Sequence, residues 1–258
     1  MKILMTNDDG YDAGGLLVLE KMFSEAGHEV WVCAPDSQRS ASSHRISIHS
    51  PVSIRNVGQR HFVCSGTPAD CVLFFLGYHI MDTPDLVVSG INVGYNCGSD
   101  IIYSGTVAAA REAALHDIPS IAISLQDPQS SDDVLDFVPP SRFLLENLDS
   151  LYPLCNGASF LNINVPKVFR PGFKVSEIGK LDYQDNLVPV DRNDTDKITT
   201  NLKIANWVHP QVVDGNGRSD MELARQGWIT VTPLMVFPGV DQKKMEALKK
   251  LSACCNPD

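Results

Sequence analysis

Two aspartates, Asp8 and Asp9, stand side by side in "TNDDG", directly after a short apolar run. Carboxylates in contact repel one another unless positive charge sits between them, and a divalent cation is the obvious supplier. "SGINVGYNCGSD" carries Asn92 and Asn96 four residues apart among glycines. Their side-chain oxygens are neutral hard ligands for magnesium, manganese or calcium. "YSGTVAAA" places Ser104, Gly105 and Thr106 where a helix begins, and free amides with the helix dipole favour an anion there. "APDSQRSASSH" holds Ser40, whose hydroxyl can complete an oxygen shell, and His44, which could approach a substrate. Each segment also has a plainer reading: an acidic capping turn, Asn-Gly turns, helix caps, loop filler and a satisfied loop histidine. Their convergence points to metal-assisted chemistry on a phosphate, with hydrolysis as the reaction.

For these groups to meet, the elements before them must end on one side of a sheet. Lys2 to Met5 reads as a buried strand, Gly14 to Ala26 as a helix with Leu16, Leu19, Phe23 and Ala26 at three- and four-residue spacing, and Gly27 as its stop. "EVWVCA" supplies the next strand, which completes a βαβ unit with parallel strands. "DLVVSG", "GTVAAAREAALHD" and "IPSIAIS" repeat that grammar, so a doubly wound α/β fold is expected. In such a sheet ligands bind at the carboxyl ends of the strands, where the strand order reverses. An extended strand would send Asp8 and Asp9 to opposite sides, so both reach one ion only if the chain bends, which Gly10 permits.

The remaining segments differ in texture. "SHRISIHSPVSIRNVGQRHFVC" alternates and is β-branched, which suggests a hairpin excursion rather than another βαβ unit. After "SFLNINVP" the chain turns polar to about Asp220, with "KITTNLKIANWV" as a strand candidate. Asp241 to Ala253 reads as a capped helix with Met245, Leu248 and Leu251 on one stripe, packing either on its own domain or on another subunit. A boundary is expected near Pro166, giving a core over 1–166 and an irregular segment, returning strand and helix over 167–258.

Composition removes several classes. The 258 residues carry a net charge of -10, which opposes a long nucleic acid as partner because such binding needs many lysine and arginine contacts to phosphate. Seven cysteines without a Cys-x-x-Cys pair suggest reduced thiols in a cytoplasm. No stretch approaches membrane-spanning length, and the apolar start is too short for a signal peptide. Neither G-x-G-x-x-G after the first strand, G-x-x-x-x-G-K-[ST], G-x-S-x-G nor H-E-x-x-H occurs, so the usual nucleotide cradles, the serine elbow and a zinc helix are absent.

The blocks "NDDG", "APD..RS", "GTPADC", "SGIN.G.N", "IYSGTVAAA", "LNINVP" and "GWITVTPL" resemble, in order and spacing, those of the SurE (survival protein E) nucleotidases. The resemblance is dense through about Leu125 and returns at 161–166 and 219–234. It implies a Rossmann-like, mostly parallel sheet with helices on both faces, a β-hairpin excursion and a C-terminal oligomerisation segment. It also implies a divalent-metal-dependent phosphatase of nucleoside monophosphates, some members of the family removing 3'-phosphates or trimming short polyphosphate.

Matched block by block, the family's metal ligands fall on Asp8, Asp9, Ser40 and Asn92, and its phosphate-holding region on Asn96, Ser104, Gly105 and Thr106. The resemblance thus implies one magnesium or manganese per subunit, a nucleoside monophosphate substrate and a homodimer or homotetramer. The proton of the attacking water would go to Asp8 or Asp9, with His44 as the alternative base. Two departures stand out: Ala13-Gly14-Gly15 replaces the family's A-P-G, and residues 180–218 match poorly. Two rivals keep the same crevice: an exopolyphosphatase, and a sensor that binds nucleotide or metal without turnover.

Overall fold

The computed structural model describes residues 1–127, 134–183, 187–189, 202–204, 211–213 and 215–255. Its centre is a nine-stranded sheet in the order β3-β4-β2-β1-β5-β6-β7-β13-β8. The central run comprises β1 (Lys2–Thr6), β2 (Glu29–Pro35), β5 (Leu86–Val93), β6 (Ser120–Leu125) and β7 (Ser159–Val165), all parallel. Along the sheet the chain runs one way from β1 to β2 and the other way from β5 to β7. The order therefore reverses between β1 and β5, the position where an open α/β sheet binds its ligands.

Alternation along β1 shows how the two faces are built. Ile3 and Met5 join the core under α1 (Gly14–Glu25) and α5 (Val138–Leu151), while Leu4 joins the opposite core under α2 (Pro68–Gly77) and α4 (Gly105–Leu115). A period of two on a strand buried on both sides requires apolar residues at every position, which is why "KILM" carries no polar alternation. On α1, Leu16, Leu19 and Phe23 are fully buried, as their helical spacing predicts. Ala26 caps the helix instead of extending its stripe, and Gly27 follows at φ +89°.

The hairpin expectation needs amending. β3 (Ile54–Gly58) and β4 (His61–Cys64) do pair antiparallel, but β4 also pairs parallel with β2 from Val32 to Pro35. The hairpin therefore forms one edge of the main sheet. Residues 44–53, expected to alternate with it, form no strand and lie as a loop over α2 and α4. Asp70 fastens this loop: it accepts from both the Ser47 amide and hydroxyl while completing the capping box of α2 with Thr67.

At the other edge, β13 (Ile229–Met235) pairs antiparallel with β7, and β8 (Phe173–Val175) parallel with β13. Short pairs join β9 (Lys180–Asp182) to β12 (Gln211–Val213) and β10 (Leu187–Pro189) to β11 (Leu202–Ile204). Within "KITTNLKIANWV" only β11 lies among the described residues. After α6 (Asp220–Arg225), the last helix α7 spans Gln242–Cys255. Leu248 there is 63% exposed while Met245 is half-buried, and the Leu251 side chain lies outside the described residues. Among the described residues no helix is long and apolar enough to cross a membrane.

Candidate functional site

The acidic turn is shaped by the residue before it. Asn7 accepts from the Gly10 amide at 3.1 Å and donates through Nδ2 to the Gly10 carbonyl at 2.8 Å. The chain bends there with Gly10 at φ +120°, a conformation that side chains disfavour. This turn brings Asp8 and Asp9 close enough for Asp9 to raise the Asp8 carboxyl.

Both carboxyls are electrostatically uncomfortable. Burial, then the Asp9 charge, pushes Asp8 up to about 6, against the stabilising hydrogen bonds from Thr106. Burial also raises Asp9, although Asp9 Oδ2 accepts the Val93 amide at 3.2 Å. None of the ion pairs among the described residues involves either aspartate. A buried carboxylate beside a half-buried one, with no protein cation between them, is a site suited to an added cation.

A cavity of about 590 Å³ opens at this point, lined by Asp8, Ser40, Asn92, Asn96 and Ser104 among others. Asn92 reaches it because the β5–β6 register slips between Ser89 and Asn92, and such a bulge re-aims the side chains beyond it. Its Nδ2 donates to the Gly94 carbonyl at 2.8 Å, which turns Oδ1 the other way. Ser40 arrives on the loop after β2, which the Arg39 amide holds to the Asp8 carbonyl at 2.7 Å. Among the described residues no three of His, Cys, Asp and Glu gather into a metal-holding group. Asp8, Ser40 and Asn92 share the cavity lining, whereas Asp9, Gly105 and Thr106 are not part of it.

The start of α4 behaves differently from a bare anion hole. Thr106 donates its hydroxyl to Asp8 Oδ1 at 2.5 Å, and its backbone amide also bonds Asp8. The anion at this helix N-terminus is thus Asp8 itself. Ser104 caps the helix by accepting from the Val107 amide at 3.0 Å while its side chain borders the cavity. Gly105 is required by close approach: a Cβ there would lie 2.7 Å from Ser42 Oγ and 3.0 Å from Asp8 Cβ. That Ser42 hydroxyl is buried and without a partner among the described residues.

Two other candidates are tied down. The Asn96 amide donates to Asn164 Oδ1, its carbonyl accepts from Asn162 and Asn164, and its Nδ2 donates to Ser124 Oγ at 2.8 Å. It borders the cavity as a pinned residue, and the two asparagines of "LNINVP" are what pin it. His44 lies outside the cavity lining, its Nε2 2.7 Å from Glu112 Oε2 on α4. That is the satisfied loop histidine of the plainer sequence reading.

Sequence reasoning passed over Asn7, Ser42 and the tie from Thr106 to Asp8. For Asn7 a signal existed, since Asn ahead of a Gly turn commonly bonds the backbone two or three residues on. Ser42 offers none within its hydroxyl-rich run, because its place depends on a helix more than sixty residues later in the chain.

Comparison with known proteins bears on the whole chain. The family model described as "Survival protein SurE" matches residues 3–185. A Clostridium botulinum protein named "5'-nucleotidase SurE" is 38% identical over 260 residues, covering 97% of this chain and 99% of that one. A protein of the same name from Synechococcus elongatus is 35% identical, covering 91% and 93%. The crystal structure of the Sure protein from Aquifex aeolicus superposes with a TM-score of 0.80 at 30% identity, over 98% of this chain and 100% of that one. With most of its sheet inside the matched span and relatives aligned over nearly its whole length, this chain belongs to the SurE family.

Proposed function

We propose that this protein is a divalent-metal-dependent 5'-nucleotidase that hydrolyses nucleoside monophosphates to nucleoside and phosphate. The reading rests on one observation: buried Asp8 and half-buried Asp9 meet without a protein cation at the point where strand order reverses. Relatives along the full chain that carry the name 5'-nucleotidase support the same reaction class.

Asp8, Asp9, Ser40 and Asn92 would hold one magnesium or manganese ion, since two carboxylates and two neutral oxygens suit a hard dication. When bound, that ion supplies positive charge against the phosphoryl oxygens. Thr106 orients Asp8 through its hydroxyl and amide, so the carboxylate stays in place while substrate exchanges. The Ser104 hydroxyl already accepts from Val107, which leaves its proton to donate to a phosphoryl oxygen. Gly105 keeps the approach to Asp8 open, and Asp8 or Asp9 takes the proton of the attacking water. His44 is not needed for that step, because Glu112 occupies its Nε2.

The Met245 and Leu248 stripe of α7 would pair subunits into a homodimer or homotetramer, covering the exposed Leu248 side chain and the rest of half-buried Met245. The five cysteines whose side chains are described are free and buried, in keeping with a reducing cytoplasm.

The test is phosphate release from 5'- and 3'-nucleoside monophosphates by metal-stripped protein, with magnesium or manganese added back. Release that depends on the metal and is fastest on a 5'-monophosphate is the expected result. No release with either metal, despite nucleotide binding, would replace the enzyme with a sensor.

A further inference from the structure

The loop after β2 is strung between two sets of anchors. At its near end the Asp36 amide donates to the Cys64 carbonyl at 2.8 Å and the Arg39 amide to the Asp8 carbonyl at 2.7 Å. At its far end the Ser43 amide and hydroxyl donate to the carbonyls of Tyr103 and Ile102 at 2.8 and 2.7 Å, and the Thr67 hydroxyl donates to the Arg45 carbonyl at 2.6 Å. Ser40 and Ala41 border the cavity between these ends. The backbone leaves the cavity through two residues, Ala41 and Ser43, that both sit at φ +55°, a left-handed conformation that a Cβ disfavours. Strain of this kind persists only where the surrounding contacts over-determine it.

Asp70 reaches this loop from α2, outside the cavity lining. Its carboxylate is fully buried and accepts three hydrogen bonds: the Ser47 amide at 2.8 Å on Oδ1, and the Ser47 hydroxyl at 2.8 Å and the Thr67 amide at 2.9 Å on Oδ2. None of the ion pairs among the described residues includes it. A buried carboxylate without a cation is costly, and its hydrogen bonds to neutral donors are what hold it. Capping α2 does not require that charge, because a neutral glutamine serves the same position of a capping box. Two of the three bonds go instead to Ser47, so the charge is spent on the loop.

We propose that Asp70 is a positioning residue for the reaction: by holding Ser47 it keeps the strained turn at Ala41 and Ser43 from relaxing, and so holds Ser40 at the cavity. Asp70 itself touches neither metal nor substrate. The assignment deepens the nucleotidase reading and rests on it for the role of Ser40.

The deciding experiment compares Asp70→Asn with Ser47→Ala, which deletes one donor, leaves the capping box of α2 intact and carries the test if Asp70→Asn does not fold. Manganese binding to the metal-stripped full chain is measured by calorimetry, cleavage after Arg45 by brief trypsin treatment, and phosphate release from a 5'-nucleoside monophosphate in parallel. Both variants are expected to bind manganese roughly tenfold more weakly, as loss of a supporting contact behind a ligand does, and to be cut faster at Arg45. Adding Ala41→Gly, which relieves the left-handed strain, should recover much of the manganese affinity of Ser47→Ala. A lower melting temperature with unchanged manganese affinity, in a protein that still releases phosphate from nucleotides, overturns the positioning role and leaves the nucleotidase reading standing. Weakened manganese binding that Ala41→Gly rescues, in a protein that releases no phosphate even unaltered, supports the positioning of Ser40 and overturns the nucleotidase reading.

Discussion

Glu112 on α4 accepts from His44 at 2.7 Å and from His116 at 3.2 Å, and so ties the loop after β2 to the helix whose first turn holds Asp8. Burial alone would raise the Glu112 carboxyl, but the hydrogen bonds and charge of the two histidines carry it below its ordinary value. Ser40 lies on the same loop, so this contact helps to set the distance between Ser40 and Asp8.

A positioning role for His44 predicts partial loss. His44→Asn should keep metal-dependent phosphate release within about tenfold of the unaltered protein, while stability falls by about 1.5–3 kcal/mol for a lost hydrogen bond to a charged group. Kinetics and a denaturant melt check both; a loss of activity as deep as that of Asp9→Asn would restore the histidine as a base.

Asp9→Asn should act in opposite directions with and without metal. It removes the half-buried charge next to buried Asp8, so the metal-stripped variant should melt a few degrees higher, on the order of 1 kcal/mol. It also removes a ligand charge, so added manganese should no longer raise the melting temperature as binding linkage requires. Normal turnover by this variant would sink the metal site as drawn.

Thr106→Val keeps the shape of the side chain and deletes the hydroxyl that Asp8 accepts. An orienting group of this kind typically affects metal affinity 10- to 100-fold. Manganese titration of the stripped protein should show a weakening of that order, with phosphate release recovered at high metal concentration. Unchanged affinity would mean that the Thr106 hydroxyl does not serve the metal site.

A pH effect is expected at the β4 edge. His61 lies 3.6 Å from Glu20 and 3.2 Å from the Tyr11 carbonyl, and the Glu20 hydrogen bond raises its pKa above the ordinary 6.5 despite partial burial. For a raised histidine the stabilisation is complete below the unfolded value and disappears as pH rises through the higher folded value. Stability measured from pH 5 to 8.5 should therefore exceed that of His61→Gln most at the acid end, by up to about 1 kcal/mol for one ion pair. A gap that is constant across this range would count against charge as its source.

The last helix gives the oligomer test. Met245→Asp places a charge on the apolar stripe of α7 and should shift the sedimentation profile toward smaller species. An unchanged profile would remove α7 from subunit pairing.

The sequence by itself determined the alternation of strand and helix, the buried character of β1, β2, β5 and β6, and the acidic turn after β1. Those features follow from local periodicity and from Gly10, and they need no distant partner. Only the tertiary structure decided that the hairpin joins the main sheet through β4, because its first half carries a strand-like pattern yet is held as a loop by Asp70. Likewise, only the fold revealed that Thr106 serves Asp8, that Glu112 claims His44 and that Asn162 and Asn164 pin Asn96. Each of these contacts joins residues tens of positions apart, and a buried polar group bonds to whatever donor or acceptor packing brings to it.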